Sequence, residues 1–143
     1  MELGPDPGNR VSRFLFNKEF KVNPFRIPKP CAFEPLYNQD PGTNRWELSV
    51  SNSDNIGPTE LLSDGEFVAR QRGKSLQGWA HLGKTILEPN GLVLAPSPIE
   101  ATQGESGFLR HADLIGWPPD EAGHIQIIAN LIRESYVELV SDF

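Results

Sequence analysis

A chain of 143 residues, 38% of them hydrophobic, is long enough to bury one core, and it is read as a single domain that needs neither metal nor disulfide to fold. Its formal net charge of −6 and pI near 5.0 argue against a nucleic-acid binder held mainly by counterion release. One cysteine, Cys31, excludes an internal disulfide and fits a reducing compartment, and no apolar run approaches the ~20 residues of a membrane span.

Residues 1–10, polar and rich in Gly and Pro, read as a flexible tail. They lack a basic start followed by an apolar stretch, so no secretory signal is expected and the cytoplasm is the default location. VSRFLF (11–16) has the β-branched and aromatic composition of a first strand. The next segment, 23–44, carries Pro24, Pro28, Pro30, Pro35 and Pro41 and is expected to be an extended loop, because proline supplies no ladder donor. Phe25, Cys31, Phe33 and Leu36 are expected to pin it to the core, with Cys31 as a buried thiol.

RWELSVS (45–51) alternates, with Trp46, Leu48 and Val50 on one side, as in a half-buried strand. A helix is predicted from Glu60 to Arg70, capped by Thr59, with Leu61, Leu62, Phe67 and Val68 inward. LQGWAHL (76–82) is a further strand, KTILEPNG a helical turn, GLVLAP (91–96) another strand, and 97–109 a long polar loop. HADLIGW (111–117) is read as the last strand.

Pro118 and Pro119 then suit the first turn of a helix, and Asp120 and Glu121 suit its positive end. Ile125, Ile128, Ala129, Leu131, Ile132, Tyr136 and Leu139 recur at helical spacing, predicting an amphipathic helix over about 119–140. The expected architecture is a single α+β domain over 11–143: a largely antiparallel sheet of about five strands, a middle helix, and a C-terminal helix across one face.

The stretch RHADLIGWPP (110–119) carries a resemblance. The pattern R-H-A-D-(aliphatic)-x-G-W-P before an acidic helix start is similar to the C-terminal end of a group of short, uncharacterised bacterial proteins. RFLFNKEF (13–20), LSV (48–50), LQGWAHL and GLVLAP resemble their other segments, so the likeness spans most of the chain. The insert ATQGESGFL before Arg110 departs from that pattern. The resemblance implies a bacterial origin and a compact α+β fold, and it supplies no activity.

The residues that carry chemistry are few. On a strand, His111 and Asp113 share a face, and if the strands of His81 and His111 pair, then His81, His111 and Asp113 converge, with Glu121 or His124 closing the set. Such a set suits Zn, Mn or Fe and hydrolysis. Against it stands the absence of H-E-x-x-H, C-x-x-C or H-x-H, and no G-x-S-x-G elbow or phosphate-binding glycine loop is present. The commoner role of His111 beside Asp113 is to brace the strand–Trp-Pro-Pro–helix corner. Trp46, Trp79 and Trp117 suit core packing, and Trp117 suits a staple on the helix entry. As surface anchors, Trp117, Arg110 and Trp79 are the candidate partner-contact residues.

The leading expectation is a non-enzymatic accessory or binding module of a bacterial assembly, acting through protein contacts and using no cofactor. One alternative is a small metal-dependent hydrolase or nuclease built on His81, His111 and Asp113. The other is a nucleic-acid-associated subunit with Arg13, Lys18, Lys21, Arg26 and Lys29 along one edge.

Overall fold

The structure, a computed structural model, describes residues 4–17, 19, 25–104 and 107–143. Among the described residues it is an α+β fold built on a seven-stranded antiparallel sheet. In chain order the elements are β1 (Arg10–Phe16), β2 (Leu36–Asn38), β3 (Arg45–Asn52), α1 (Pro58–Arg72), β4 (Leu76–Gly83), β5 (Val93–Pro96), β6 (His111–Ile115), α2 (His124–Glu134) and β7 (Tyr136–Leu139). The strands lie in the order β5-β6-β3-β1-β4-β7, and β2 adds to β3. No helix of the described residues is long and apolar enough to cross a membrane.

The two helices cover opposite faces. Alternate residues of β1 show this: Val11 and Leu15 pack in the cluster that holds Ile127, Ile128 and Leu131 of α2, while Phe14 and Phe16 pack with Leu61, Phe67 and Ala69 of α1. Gly65 lets α1 sit close to the sheet, since a Cβ there would lie 2.7 Å from a Leu76 methyl. The helix ends at Gly73, whose left-handed φ of 63° suits a residue without a side chain and whose N–H caps the last turn.

The expected strands are all present, and two more join them. β2 lies inside the proline-rich segment, just past the buried Pro35. β7 takes residues that were expected to be helical. α2 stops at Glu134, Ser135 is extended, and Val137 and Leu139 then alternate into the core. A run as short as Tyr136–Leu139 fits helical and strand spacing alike, and the open edge of β4 decides for the strand. At the other end of α2, Pro118 and Pro119 precede the helix. Asp120 caps a 3-10 turn at Glu121–Gly123 instead, accepting from the Gly123 N–H at 2.8 Å.

Several expected core residues lie elsewhere. Phe25, Leu36 and Cys31 are exposed, and Ala32 with Phe33 anchor the loop in their place. On α2, Ile127 is buried and Ile125 faces outward. Residues 4–9, expected to be loose, are tied to the sheet margin: Asn55 donates to Pro7 O and Lys84 to Asn9 O.

Candidate functional site

Register places a polar row under α1. Ser12 pairs with Ser51 and with His81, and Ser51 pairs with His111. Partners in an antiparallel ladder share a face, so these four side chains cross four strands on the α1 side. A polar row beneath a helix must satisfy itself, and it does so in three groups.

The first group centres on His81. Its Nε2–H donates to the Glu138 carboxylate at 2.6 Å, which fixes the tautomer. Nδ1 therefore accepts from the Ser12 hydroxyl at 2.7 Å, and Ser12 Oγ accepts from Ser53 at 2.6 Å. Trp79 Nε1 donates to the same Glu138 oxygen at 3.0 Å. Burial, then the Arg10 charge, holds the imidazole below its ordinary pKa of 6.5, although Glu138 pulls the other way. This is a serine–histidine–carboxylate order, yet Ser12 and Ser53 are 0% exposed. A nucleophile sealed beneath a helix meets no substrate, so the chain of bonds serves the fold.

In the second group, Asp64 reaches down from α1. It accepts two bonds from Arg110, at 2.8 and 3.2 Å, and one from Ser51 at 3.5 Å. Arg110 thus clamps α1 to the start of β6.

The third group opens outward. His111 Nδ1–H donates to the Ser97 carbonyl at 2.7 Å, leaving Nε2 to accept from the Ser49 hydroxyl at 2.7 Å. Asp113 Oδ1 lies 3.7 Å from the same nitrogen. Burial raises the Asp113 pKa above 3.8, His111 lowers it, and Glu47 adds to the rise. Ser49 and Asp113 line a cleft of about 510 Å³ together with Arg13, Glu47, Tyr37 and Arg72. Here histidine could take the serine proton, but a neutral carbonyl stands where a triad has its carboxylate. It orients the ring and supplies no charge to stabilise an imidazolium.

Arg13 owes its place in this cleft to a parting of strands. β1 pairs with β3 over only two positions, and the Arg13 side chain fills the opening beyond. Its Nε donates to Ala32 O at 2.8 Å and its Nη1 to Ser49 O at 2.9 Å. Burial, then the nearby Arg72, lowers its pKa to about 10.

The expected convergence of His81, His111 and Asp113 does not occur. β4 and β6 do not pair: β1 and β3 lie between them, which sets the two histidines roughly 14 Å apart at ~4.8 Å per strand. Among the described residues no three His, Cys, Asp or Glu side chains gather to hold a metal. Nor do His111 and Asp113 brace the Trp-Pro-Pro corner. Trp117 Nε1 donates to Leu114 O at 2.9 Å, and His124 Nε2 donates to Pro118 O at 2.8 Å. Trp117 also meets the His124 ring edge-on, with centroids 5.4 Å apart. Trp79 and Trp117 are both buried, so neither is a surface anchor. Of the expected basic edge, Arg13 is buried and Arg26 is paired with Asp142 at 2.6 Å; Lys18 and Lys21 lie outside the described residues.

A second groove lies on the α2 side, lined by Pro35, Trp46, His124, Ile125 and Ile128, with Glu34 and Glu121 also on its walls. Trp46 is wedged edge-on between Tyr37, at 5.3 Å, and His124, at 4.7 Å. Sequence reasoning missed Arg13, Ser49 and Glu138 as members of polar clusters. The available signal was a serine or arginine inside each strand at a position that alternation assigns to a covered face. Compared with family models, curated proteins and solved structures, the chain matches none of them.

Proposed function

We propose that the chain is a non-enzymatic binding module of a bacterial assembly, and that it acts through the groove beside Trp46. The observation that supports this is the exposure of Ile125, 71%, in a helix whose other large aliphatic residues are buried or half-buried. Tyr37, 44% exposed, meets Trp46 edge-on and extends the apolar surface onto β2. An apolar groove with a fixed aromatic side chain and a charged rim is the anatomy of a contact site. Glu34 and Glu121 make that rim acidic, as does the net charge of −6 for the chain at large. The partner segment is accordingly one that presents an apolar side chain flanked by Lys or Arg.

The metal-hydrolase alternative loses its support with the separation of His81 from His111, and the nucleic-acid alternative loses Arg13 from its basic edge. The test is retrieval of the tagged chain from its native host at low salt, with native mass spectrometry of the eluate, for the wild type and Ile125→Glu. The expected result is a stoichiometric protein partner with the wild type that Ile125→Glu loses. A bare wild-type chain, or a partner held equally by the variant, overturns the reading.

A further inference from the structure

We propose that the cleft between β2, β3 and the end of α1 binds a small zwitterion, a molecule with a carboxylate at one end and an ammonium at the other. This goes beyond the protein-contact role of the Trp46 groove and does not depend on it.

The cationic end is Arg13 and Arg72. Arg13 is 7% exposed and lines the cleft, yet its hydrogen-bond partners are two neutral carbonyls, Ala32 O and Ser49 O. A buried guanidinium normally has a carboxylate partner, because burial without one is costly. The strongest charge felt by Arg13 is instead a like charge, Arg72, with Glu19 as a weaker opposing influence. Arg72 itself lies over the Phe16 ring at 5.3 Å and forms no ion pair among the described residues. Two cations lining one cleft, neither of them in an ion pair among the described residues, form a receptor for a carboxylate.

The other end is acidic. Glu34, Asp40, Glu47 and Asp113 line the same cleft; Glu47 is paired with Arg45 at 2.8 Å and accepts from Asn38 at 3.0 Å, and none of the four forms an ion pair with Arg13 or Arg72. The two ends therefore do not neutralise each other. A simple anion such as phosphate would sit well on the arginines but badly beside Glu47 and Asp113. A simple cation would meet the reverse. A zwitterion satisfies both ends at once, and Ser49 Oγ, which donates to His111, still has lone pairs to accept from it. The volume of about 510 Å³ suits an amino acid or a dipeptide, and lies within the ~300–1,000 Å³ of small-molecule sites.

The experiment is a ¹H–¹⁵N titration of the full chain with the common free amino acids and a set of dipeptides. Acetate, inorganic phosphate and methylammonium serve as single-charge controls. The expected result is that at least one zwitterion moves the amide signals of Asn38, Ser49 and Asp113 and binds about tenfold or more tighter than every control. Arg72→Gln and Glu47→Gln should each weaken that zwitterion by about tenfold, the loss of one charge-assisted contact. Arg13 is left intact because its bonds hold β1 to β3. No shift with any zwitterion, a control that binds as well, or unchanged affinity in both variants overturns the proposal.

Discussion

The sheet carries two serine–histidine pairs on one face, and they differ in what surrounds them. Ser12 and His81 sit in the middle of the sheet beneath α1, with Glu138 completing the order of a hydrolytic triad. Ser49 and His111 sit toward the β5 side, next to an open cleft, with a backbone carbonyl in the carboxylate position. The pair with the complete set of groups is sealed; in the pair beside the cleft a carbonyl holds Nδ1, and the nearby carboxylate, Asp113, lies 3.7 Å from Nε2, on the serine side of the ring. The contrast shows that hydrogen-bond order alone does not make a nucleophile. Access and the partner of the second ring nitrogen decide.

Removing the two histidines should separate the regions most sharply. His81→Ala strips partners from Ser12 and Glu138 and leaves a cavity, which should cost about 3 kcal/mol; His111→Ala should cost about 1 kcal/mol. Urea denaturation measures both, and equal losses would erase the distinction. The serines come next. Ser12→Ala leaves Ser53 and His81 unsatisfied in the interior and should cost about 2 kcal/mol, against about 0.5 kcal/mol for the half-buried Ser49→Ala, whose histidine has water within reach.

The pH dependence is smaller and has opposite signs in the two regions. His81 has its pKa lowered by burial, so the unfolded chain takes up a proton that the folded chain refuses. Stability from this group is present above 6.5 and is lost as pH falls below that value toward the folded pKa. Asp113 has its pKa raised, so its contribution is present below 3.8 and declines as pH rises from there through the folded value. Urea midpoints across pH 4 to 8 should show both slopes. His81→Gln should remove the first and Asp113→Asn the second, and a slope that survives its own substitution contradicts the assignment. The smallest effect concerns a tether. His111→Ala frees the Ser97 carbonyl, and amide exchange at Ile99 and Phe108, which bond to each other across the loop, should quicken by about tenfold while β1 and β4 stay protected.

Much of the fold was legible in the sequence. The strands of 11–16, 45–51, 76–82, 91–96 and 111–117 were visible as short apolar and aromatic runs between turn residues, and α1 in its apolar spacing. What escaped was what neighbours decide. Tyr136–Leu139 reads as helix until the edge of β4 offers it a ladder. Leu36–Asn38 is too short to announce itself among prolines. The polar side of RWELSVS reads as solvent-facing, whereas α1 covers Ser51 completely. That error hid the polar row, because serines on a strand look like surface until a partner across the sheet is known.

The candidate residues fared by the same logic. His111 beside Asp113 was visible from period two alone, and Nε2 and Oδ1 do come within 3.7 Å. Bringing His81 to them required β4 next to β6, and strand order is a long-range property that spacing does not carry. Arg13 looked like one of several surface cations, and only the parting of β1 from β3 turned it inward.

The most direct measurement is long-range ¹H–¹⁵N correlation on the three imidazole rings of the folded protein near pH 7.5. The account predicts a locked Nε2–H tautomer for His81, held by Glu138, and a locked Nδ1–H tautomer for His111, held by Ser97. His124 should match His81, through its bond to Pro118 O. The same tautomer at His81 and His111, or rings that exchange freely between both forms, would contradict the contrast between a sealed pair and an open one.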